Sequence, residues 1–202
     1  NVGKMTAALE LHASAVRRGI AASFIATGQT GIMIAAEGVC VDAVVSDFAA
    51  GAVEAALLDA GEADLYVVEG QGSLGHPGFS GVTLSLLHGA CPDVLVLVHH
   101  AGRTRHRADP GHPLPTLEEL CRAYEAVAGL LHPARLVGAA LNTTGADDAT
   151  IARETGRLRA LCGGPVVDVL REGADALLDA VLGAPLRRAA RGGFVVLTAY
   201  PD

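Results

Sequence analysis

"ADLYVVEGQGS", residues 63–73, decides how this chain is to be read. Its apolar run, Leu65, Tyr66, Val67 and Val68, does not alternate with polar residues, so both faces of the segment must be covered. That is the condition of a strand inside a parallel sheet flanked by helices. Glu69 then ends the strand, and Gly70-Gln71-Gly72-Ser73 turns the chain in a polar loop. The same grammar recurs along the sequence. "ASFIAT" (22–27) runs into Gly28-Gln29-Thr30-Gly31, "DVLVLVHH" (93–100) into His99-His100-Ala101-Gly102-Arg103, and "ARLVGAALNTTG" (134–145) ends in Asn142-Thr143-Thr144-Gly145.

Between these segments the spacing is helical. Residues 5–18 place Leu9, Ala13 and Val16 on one face and stop at Gly19, as a helix C-terminus does. Further helices are expected at 47–60, 82–88, 116–131, 148–161 (with Asp147 or Asp148 as N-cap) and 174–182, and further strands at "PVVDVL" (165–170) and "GFVVLTA" (193–199). Alternating strands and helices specify an α/β fold, a mostly parallel sheet with helices on both faces. Such sheets gather ligands at the carboxyl ends of their strands, where all four polar loops fall.

Composition sets the outer limits. Half of the 202 residues are hydrophobic and 18% are charged, enough for one substantial core and a single domain over 1–202. Fifteen Lys and Arg against 22 Asp and Glu give a net charge of -7, which argues against a nucleic-acid or anionic-membrane binder. Cys40, Cys91, Cys121 and Cys162 lie far apart without a CxxC spacing and read as buried free thiols in a reducing compartment. No signal-peptide pattern opens the sequence, and the longest apolar runs, such as 94–98, are too short for a bilayer, so a soluble, cytoplasmic protein is expected.

The opening "NVGKMTAALELHASAVRRG", residues 1–19, reads as the back half of a phosphate loop. In such a loop, backbone N–H groups and the helix N-terminus hold phosphate while a lysine neutralises it, roles that fall to Gly3 and Lys4. Gly-Lys before a helix is also an ordinary helix entry; its company with "LYVVEG", a buried strand ending in an acid, favours the phosphate reading. The expected fold is therefore a three-layer P-loop NTPase-like domain.

"NVGKMTAALEL", "ATGQTGIMIA", "DFAAGAVE", "VEGQGSLGHPGFSGVTLSLLHG" and "ALNTTG" together closely resemble the C-terminal P-loop domain of the D-glutamate N-acetyltransferase-like family, long described as a domain of unknown function. The resemblance covers nearly the whole chain up to Gly145. It implies that a strand and a Gly-Thr-Asp-Cys turn precede the residue matching Asn1, and that a Rossmann-like domain lies further upstream. The chain is then expected to have an uncovered central slot in its sheet, and to be marginally stable and inactive alone. A looser resemblance links the same segments to dethiobiotin synthetase, with "VEGQGS" as its glycine-rich loop and "ALN" supplying a base-side asparagine, Asn142. One departure stands out: the residue after the loop lysine, usually a magnesium-binding Ser or Thr, is Met5, and Thr6 lies about 100° further round the helix. Coenzyme A phosphates need no such hydroxyl.

The candidate site residues carry a plain reading beside the functional one. Gly3, Lys4, Met5, Thr6, Gly70, Gln71, Gly72, Ser73 and Asn142 are expected on the cofactor, although Asn142 equally suits a turn. Glu69 is a general base, a metal ligand or one half of a structural pair, since an unpaired buried carboxylate is costly. His76 is a general base towards an amine or a histidine tying its own loop, and His100 is the third catalytic candidate. Gln29, Thr30 and Arg103 are expected on the substrate, Arg103 as a bidentate carboxylate or phosphate ligand. "RTRHRADPGHP", with Arg103, Arg105, His106 and Arg107, is an anion-attracting patch or a solvated loop. If magnesium is used, Glu69 with Asp47, or with Asp42, would hold it; Asp47 reads otherwise as a helix N-cap.

Two enzyme readings result. In the first, an N-acetyltransferase moves acetyl from acetyl-CoA to the amine of D-glutamate or a similar acidic amino acid. In the second, ATP and magnesium drive a reaction of the dethiobiotin synthetase type; a non-catalytic nucleotide-binding module is the third possibility. Met5 favours the first. The mean hydropathy of +0.38 leaves apolar surface for the upstream domain or a second copy, so a homo-oligomer is expected.

Overall fold

The computed structural model describes residues 2–106 and 111–184, together with the backbone of 194–199. Asn1 and Arg107 therefore lie outside the described residues. In chain order the elements are α1 (Lys4–Arg17), β1 (Ala22–Ile25), α2 (Gln29–Ala35), a 3-10 turn (Val41–Ala43), α3 (Ser46–Asp59), β2 (Leu65–Val68), α4 (Ser80–Ala90), β3 (Val94–His100), α5 (Leu117–Ala128), β4 (Arg135–Asn142), α6 (Asp148–Cys162), β5 (Val166–Val167), α7 (Asp175–Leu182) and β6 (Phe194–Ala199). Six parallel strands form one sheet in the order β1-β2-β6-β3-β4-β5.

Because successive strand side chains point to opposite faces, the unbroken apolar runs feed two cores at once. Tyr66, Val68, Leu95, Leu97, Leu136 and Leu141 belong to the core that includes Val53 of α3, Leu86 of α4, Tyr124 of α5 and Leu158 of α6. Leu65, Val67, Val94, Val96 and Val98 belong to the other, with Leu11 of α1 and Leu177 of α7. All four residues of β2 are buried, as both-sided cover requires. Cys121 and Cys162 are buried free thiols, whereas Cys40 and Cys91 are half-buried.

Four expectations need correction. The buried face of α1 is Ala7, Ala8, Leu11, Ser14 and Ala15, while Val16 is 52% exposed. Small side chains let the helix sit close to the sheet, and Ser14 is satisfied by Asp175 of α7. The stretch Gly28-Gln29-Thr30-Gly31 is not a loop but the N-cap and first turn of α2. Helix α3 begins one residue early, at Ser46, with Val45 as N-cap, so Asp47 is an exposed first-turn acid rather than the cap. Finally, the expected central slot is filled among the described residues: β6 pairs with β2 on one side and β3 on the other.

Candidate functional site

Parallel strands bring the polar segments after β1, β2, β3 and β4 to one edge of the sheet. Glu69, directly after β2, is buried there. Its Oε2 accepts the backbone N–H of Thr27 at 3.1 Å and of Gly28 at 3.3 Å, while the Thr27 hydroxyl donates to the Glu69 carbonyl at 2.6 Å. A carboxylate supplied by the neighbouring strand thus caps the start of α2. Gly31 lies so close that a Cβ there would sit 2.2 Å from the same oxygen. Burial raises the Glu69 carboxyl above the usual carboxylate range, and the N–H groups of Thr27 and Gly28 and the charge of Lys4 oppose that rise. Gln29 and Thr30 stand exposed on the first turn of α2.

Lys4 closes the arrangement from the other side. Gly3, the N-cap of α1, has φ 108° and brings no side chain of its own to cap the helix. The first-turn N–H groups of a helix have no partner within it, so this end carries the positive pole of α1 outward. Lys4 Nζ donates to the Gly72 carbonyl at 2.8 Å, bridging α1 to the loop after β2. That loop is fixed by its own backbone: Gly72 is left-handed (φ 59°), and a Cβ there would meet the Phe79 carbonyl at 2.5 Å. Ser73 Oγ accepts the N–H of Gly75, and the Thr83 hydroxyl donates to the Gln71 carbonyl. Gln71 Nε2 is a buried donor with no partner among the described residues; it lies 2.2 Å from where a Gly28 Cβ would stand, facing the start of α2.

The two candidate histidines, His76 and His100, differ in which nitrogen keeps its lone pair. His76 is buried, stacks on Phe79 with centroids 4.5 Å apart and meets His106 edge-on at 4.7 Å. Its Nδ1 faces the N–H of Gly78 at 3.0 Å and must accept, so the neutral ring carries its proton on Nε2. His100 is the reverse case: Nδ1 faces the Ala101 carbonyl at 3.1 Å and must donate, which leaves the lone pair on Nε2. His99 is buried and paired to Glu154 of α6 at 2.8 Å, and burial lowers its pKa. Arg103 closes the turn after β3 through its N–H on the His100 carbonyl. Beyond it, Arg105 forms a bridge with Pro113 and His106 N–H meets the His112 carbonyl.

Asn142 is the register partner of His100. Its Nδ2 donates to the Val2 carbonyl at 3.1 Å and its Oδ1 accepts the Thr144 N–H at 3.0 Å, so it ties the entry of α1 to β4. Thr6 faces this side: with Gly3, Asn142 and the segment after β5 it lines a cavity of about 140 Å³. Sequence reasoning passed over Thr27, Glu154 and Asp168. Asp168 is buried and holds the N–H and hydroxyl of Thr143 on Oδ2 and the Leu170 N–H on Oδ1. An acid directly after the apolar pair Val166-Val167 repeats the Val68-Glu69 pattern, and that was the available signal. Asp42 and Asp47 are exposed, and no cluster of three or more His, Cys, Asp or Glu side chains suited to a metal ion forms among the described residues.

Residues 1–178 match the family described as "Domain of unknown function (DUF1611_C) P-loop domain". The chain is 40% identical over 182 residues to a D-glutamate N-acetyltransferase of Tritonibacter scottomollicae, a match that covers 90% of this chain and 55% of the relative. It is also 40% identical over 184 residues to a D-glutamate N-acetyltransferase of a Pseudoalteromonas species, covering 88% and 54%. A crystal structure of a DUF1611 family protein from Anabaena variabilis superimposes with a TM-score of 0.83 at 47% identity, over 90% of this chain and 54% of that one. The chain thus spans about half the length of these relatives. It belongs to the DUF1611 family and forms its P-loop domain.

Proposed function

We propose that this chain is the phosphate-holding domain of an N-acetyltransferase, moving the acetyl group of acetyl-CoA to the amine of D-glutamate or a similar acidic amino acid. The observation that carries the reading is the start of α1, with left-handed Gly3 at its N-cap and the Lys4 ammonium held at the Gly72 carbonyl. A helix pole with a lysine beside it suits phosphate oxygens, and the pole acts without a magnesium-binding hydroxyl at Met5. The names of the two relatives supply the reaction class. Acetyl-CoA brings a phosphate-bearing nucleotide and an acetyl group activated as a thioester.

An amino-acid amine is an ammonium near neutral pH, so it must lose a proton before it can attack. We assign that proton to His100 Nε2, because Nδ1 is fixed on the Ala101 carbonyl and the ring is held at the end of β3. His76 offers an N–H instead, since its lone pair is taken by Gly78. Gln71 Nε2 contributes a donor facing the start of α2, where Gln29 and Thr30 receive the substrate. Arg103 binds a substrate carboxylate. Glu69 holds α2 in place and balances Lys4.

Calorimetry tests the reading. Acetyl-CoA binding is expected to persist in excess EDTA, Lys4→Ala to weaken it by about 1 to 3 kcal/mol, and Met5→Thr to leave it unimproved. The dethiobiotin-synthetase-like alternative expects magnesium-dependent ATP binding that Met5→Thr strengthens. Tight, EDTA-sensitive ATP binding without any response to acetyl-CoA would sink the acetyltransferase assignment.

A further inference from the structure

Strand β1 lies at one end of the sheet, and along its outer side runs a groove of about 820 Å³ that the chemistry above does not use. The strand itself is the floor. On the β2 side the carbonyls of Ala21 and Ile25 accept the N–H groups of Leu65 and Glu69. Backbone groups alternate in direction along a strand, so those of Ala22, Phe24 and Ala26 point the other way. The two ends of this outer side are already sealed. His12 Nε2 donates to the Ala22 carbonyl at 3.1 Å, and Val39 N–H donates to the Ala26 carbonyl at 2.9 Å. Gly38 permits the second contact, since a Cβ there would stand 2.5 Å from the same oxygen. Phe24, between the seals, turns an N–H and a carbonyl to the groove, the pair that a further strand takes up.

The walls are the two helical layers. Leu9 and His12 of α1 stand on one side and Ala52, Ala55, Ala56 and Ala60 of α3 on the other, helices that pack on opposite faces of the sheet. Both layers reach past the strand, so two copies cannot bring their β1 edges together, whereas a single extended chain reaches Phe24. The alanine wall leaves room for that chain's side chains. The mouth is apolar: Ile34 is 54% exposed at the rim, and Phe48, 68% exposed, stands one turn before Ala52 on the same face of α3. Its charge is acidic, with Glu37 near the Ala26 end and Asp59 in the last turn of α3, and no Lys or Arg lines it among the described residues. An open strand edge invites pairing with other chains, and proteins cover such edges. A permanent cover comes from the same molecule, and the relatives are about twice as long as the matched region. We propose that this groove is a strand-addition site, filled in the full-length protein by a basic, extended segment from the half that this chain does not span. That segment becomes a seventh strand on β1, bonded through Phe24, with Lys or Arg side chains on Glu37 and Asp59. Its docking is independent of the acetyl-CoA reading.

Amide exchange at residue resolution and photo-crosslinking, both on the full-length protein, provide the test. Phe24 N–H is expected to exchange about 10²-fold or more slower than an open amide. With p-benzoylphenylalanine in place of Ala55, an exposed position on the wall, irradiation is expected to give a cross-link within one molecule, to a Lys- or Arg-bearing segment outside residues 1–202. Ala55→Trp, which fills the groove from the helix surface, is expected to return Phe24 to fast exchange. The pair Glu37→Lys and Asp59→Lys is expected to speed the same amide by repelling the segment, and it decides the matter if Ala55→Trp fails to fold. Phe24 exchanging in the parent like an open amide would overturn the inference. So would Phe24 protection that survives both sets of substitutions in folded protein. Cross-links confined to residues 1–202, or joining two copies or a second protein, would overturn it as well.

Discussion

Glu69 shows how one side chain serves geometry and charge together. Its carboxylate takes two backbone N–H groups from the start of α2, yet burial still lifts its pKa above the ordinary 4.5. An acid raised in the folded state is ionised less readily there than in the unfolded chain. Its contribution to stability is therefore fully present below 4.5 and is lost as pH rises through the raised value. Glu69→Gln removes that titration, so its melting temperature, followed from about pH 4 to about pH 8, should decline less with rising pH than the parent's. A parallel decline in both proteins would show that Glu69 does not titrate within that window. His76 and His100 show the same at the level of a proton, because the backbone group that each ring's Nδ1 faces decides which nitrogen is left to accept one. His100→Gln is accordingly expected to lower acetyl transfer by about 10²- to 10⁴-fold with acetyl-CoA affinity retained. Turnover equal to the parent's would take His100 out of the mechanism.

At the scale of elements, α2 exists because another element completes it. Its local sequence, Gly28-Gln29-Thr30-Gly31, has the look of a turn, and its cap comes from β2 rather than from its own N-cap residue. Two helix glycines make the point measurable. Gly156 in α6 has open space where a Cβ would go, so Gly156→Ala should stabilise the protein by about 0.5 to 1 kcal/mol through helix propensity. Gly31→Ala has the same local gain, but its Cβ would stand 2.2 Å from Glu69 Oε2 and 3.1 Å from Ala26 Cβ. It should destabilise by about 1 to 3 kcal/mol as the carboxylate is pushed off Thr27 and Gly28. Denaturant melts compare the two directly, and a shift of the same sign for both would mean that α2 does not depend on contact with Glu69.

The whole molecule depends on its last described strand. Because β6 sits between β2 and β3, the hydrogen-bonded ladder of the sheet passes from one half to the other through β6. Val196 pairs with Val67 on one side and Val94 on the other, and proline is not tolerated inside a central strand. Val196→Pro is expected to cost more than the roughly 1 kcal/mol of a single hydrogen bond and to speed amide exchange in β2 and β3 together. Unchanged exchange in those strands would show that the sheet does not need β6 at its centre. The sequence by itself determined the α/β class and the common edge of the polar loops, because unbroken apolar strands and helical periodicity are local patterns that need two covered faces. It also singled out Gly3, Lys4, Glu69 and the run 70–73 as candidates, since an acid and glycines at a buried strand end stand out against apolar neighbours; the structure sets Lys4 on Gly72 and Glu69 on the start of α2. Only the tertiary structure decided that Glu69 caps α2, that Asp168 answers Thr143, that His100 rather than His76 keeps its lone pair on Nε2, and that β6 fills the centre of the sheet. Each of these depends on which groups meet across long stretches of chain. A hydrogen bond over 42 residues, such as Thr27 to Glu69, leaves no periodicity in the sequence from which it could be read.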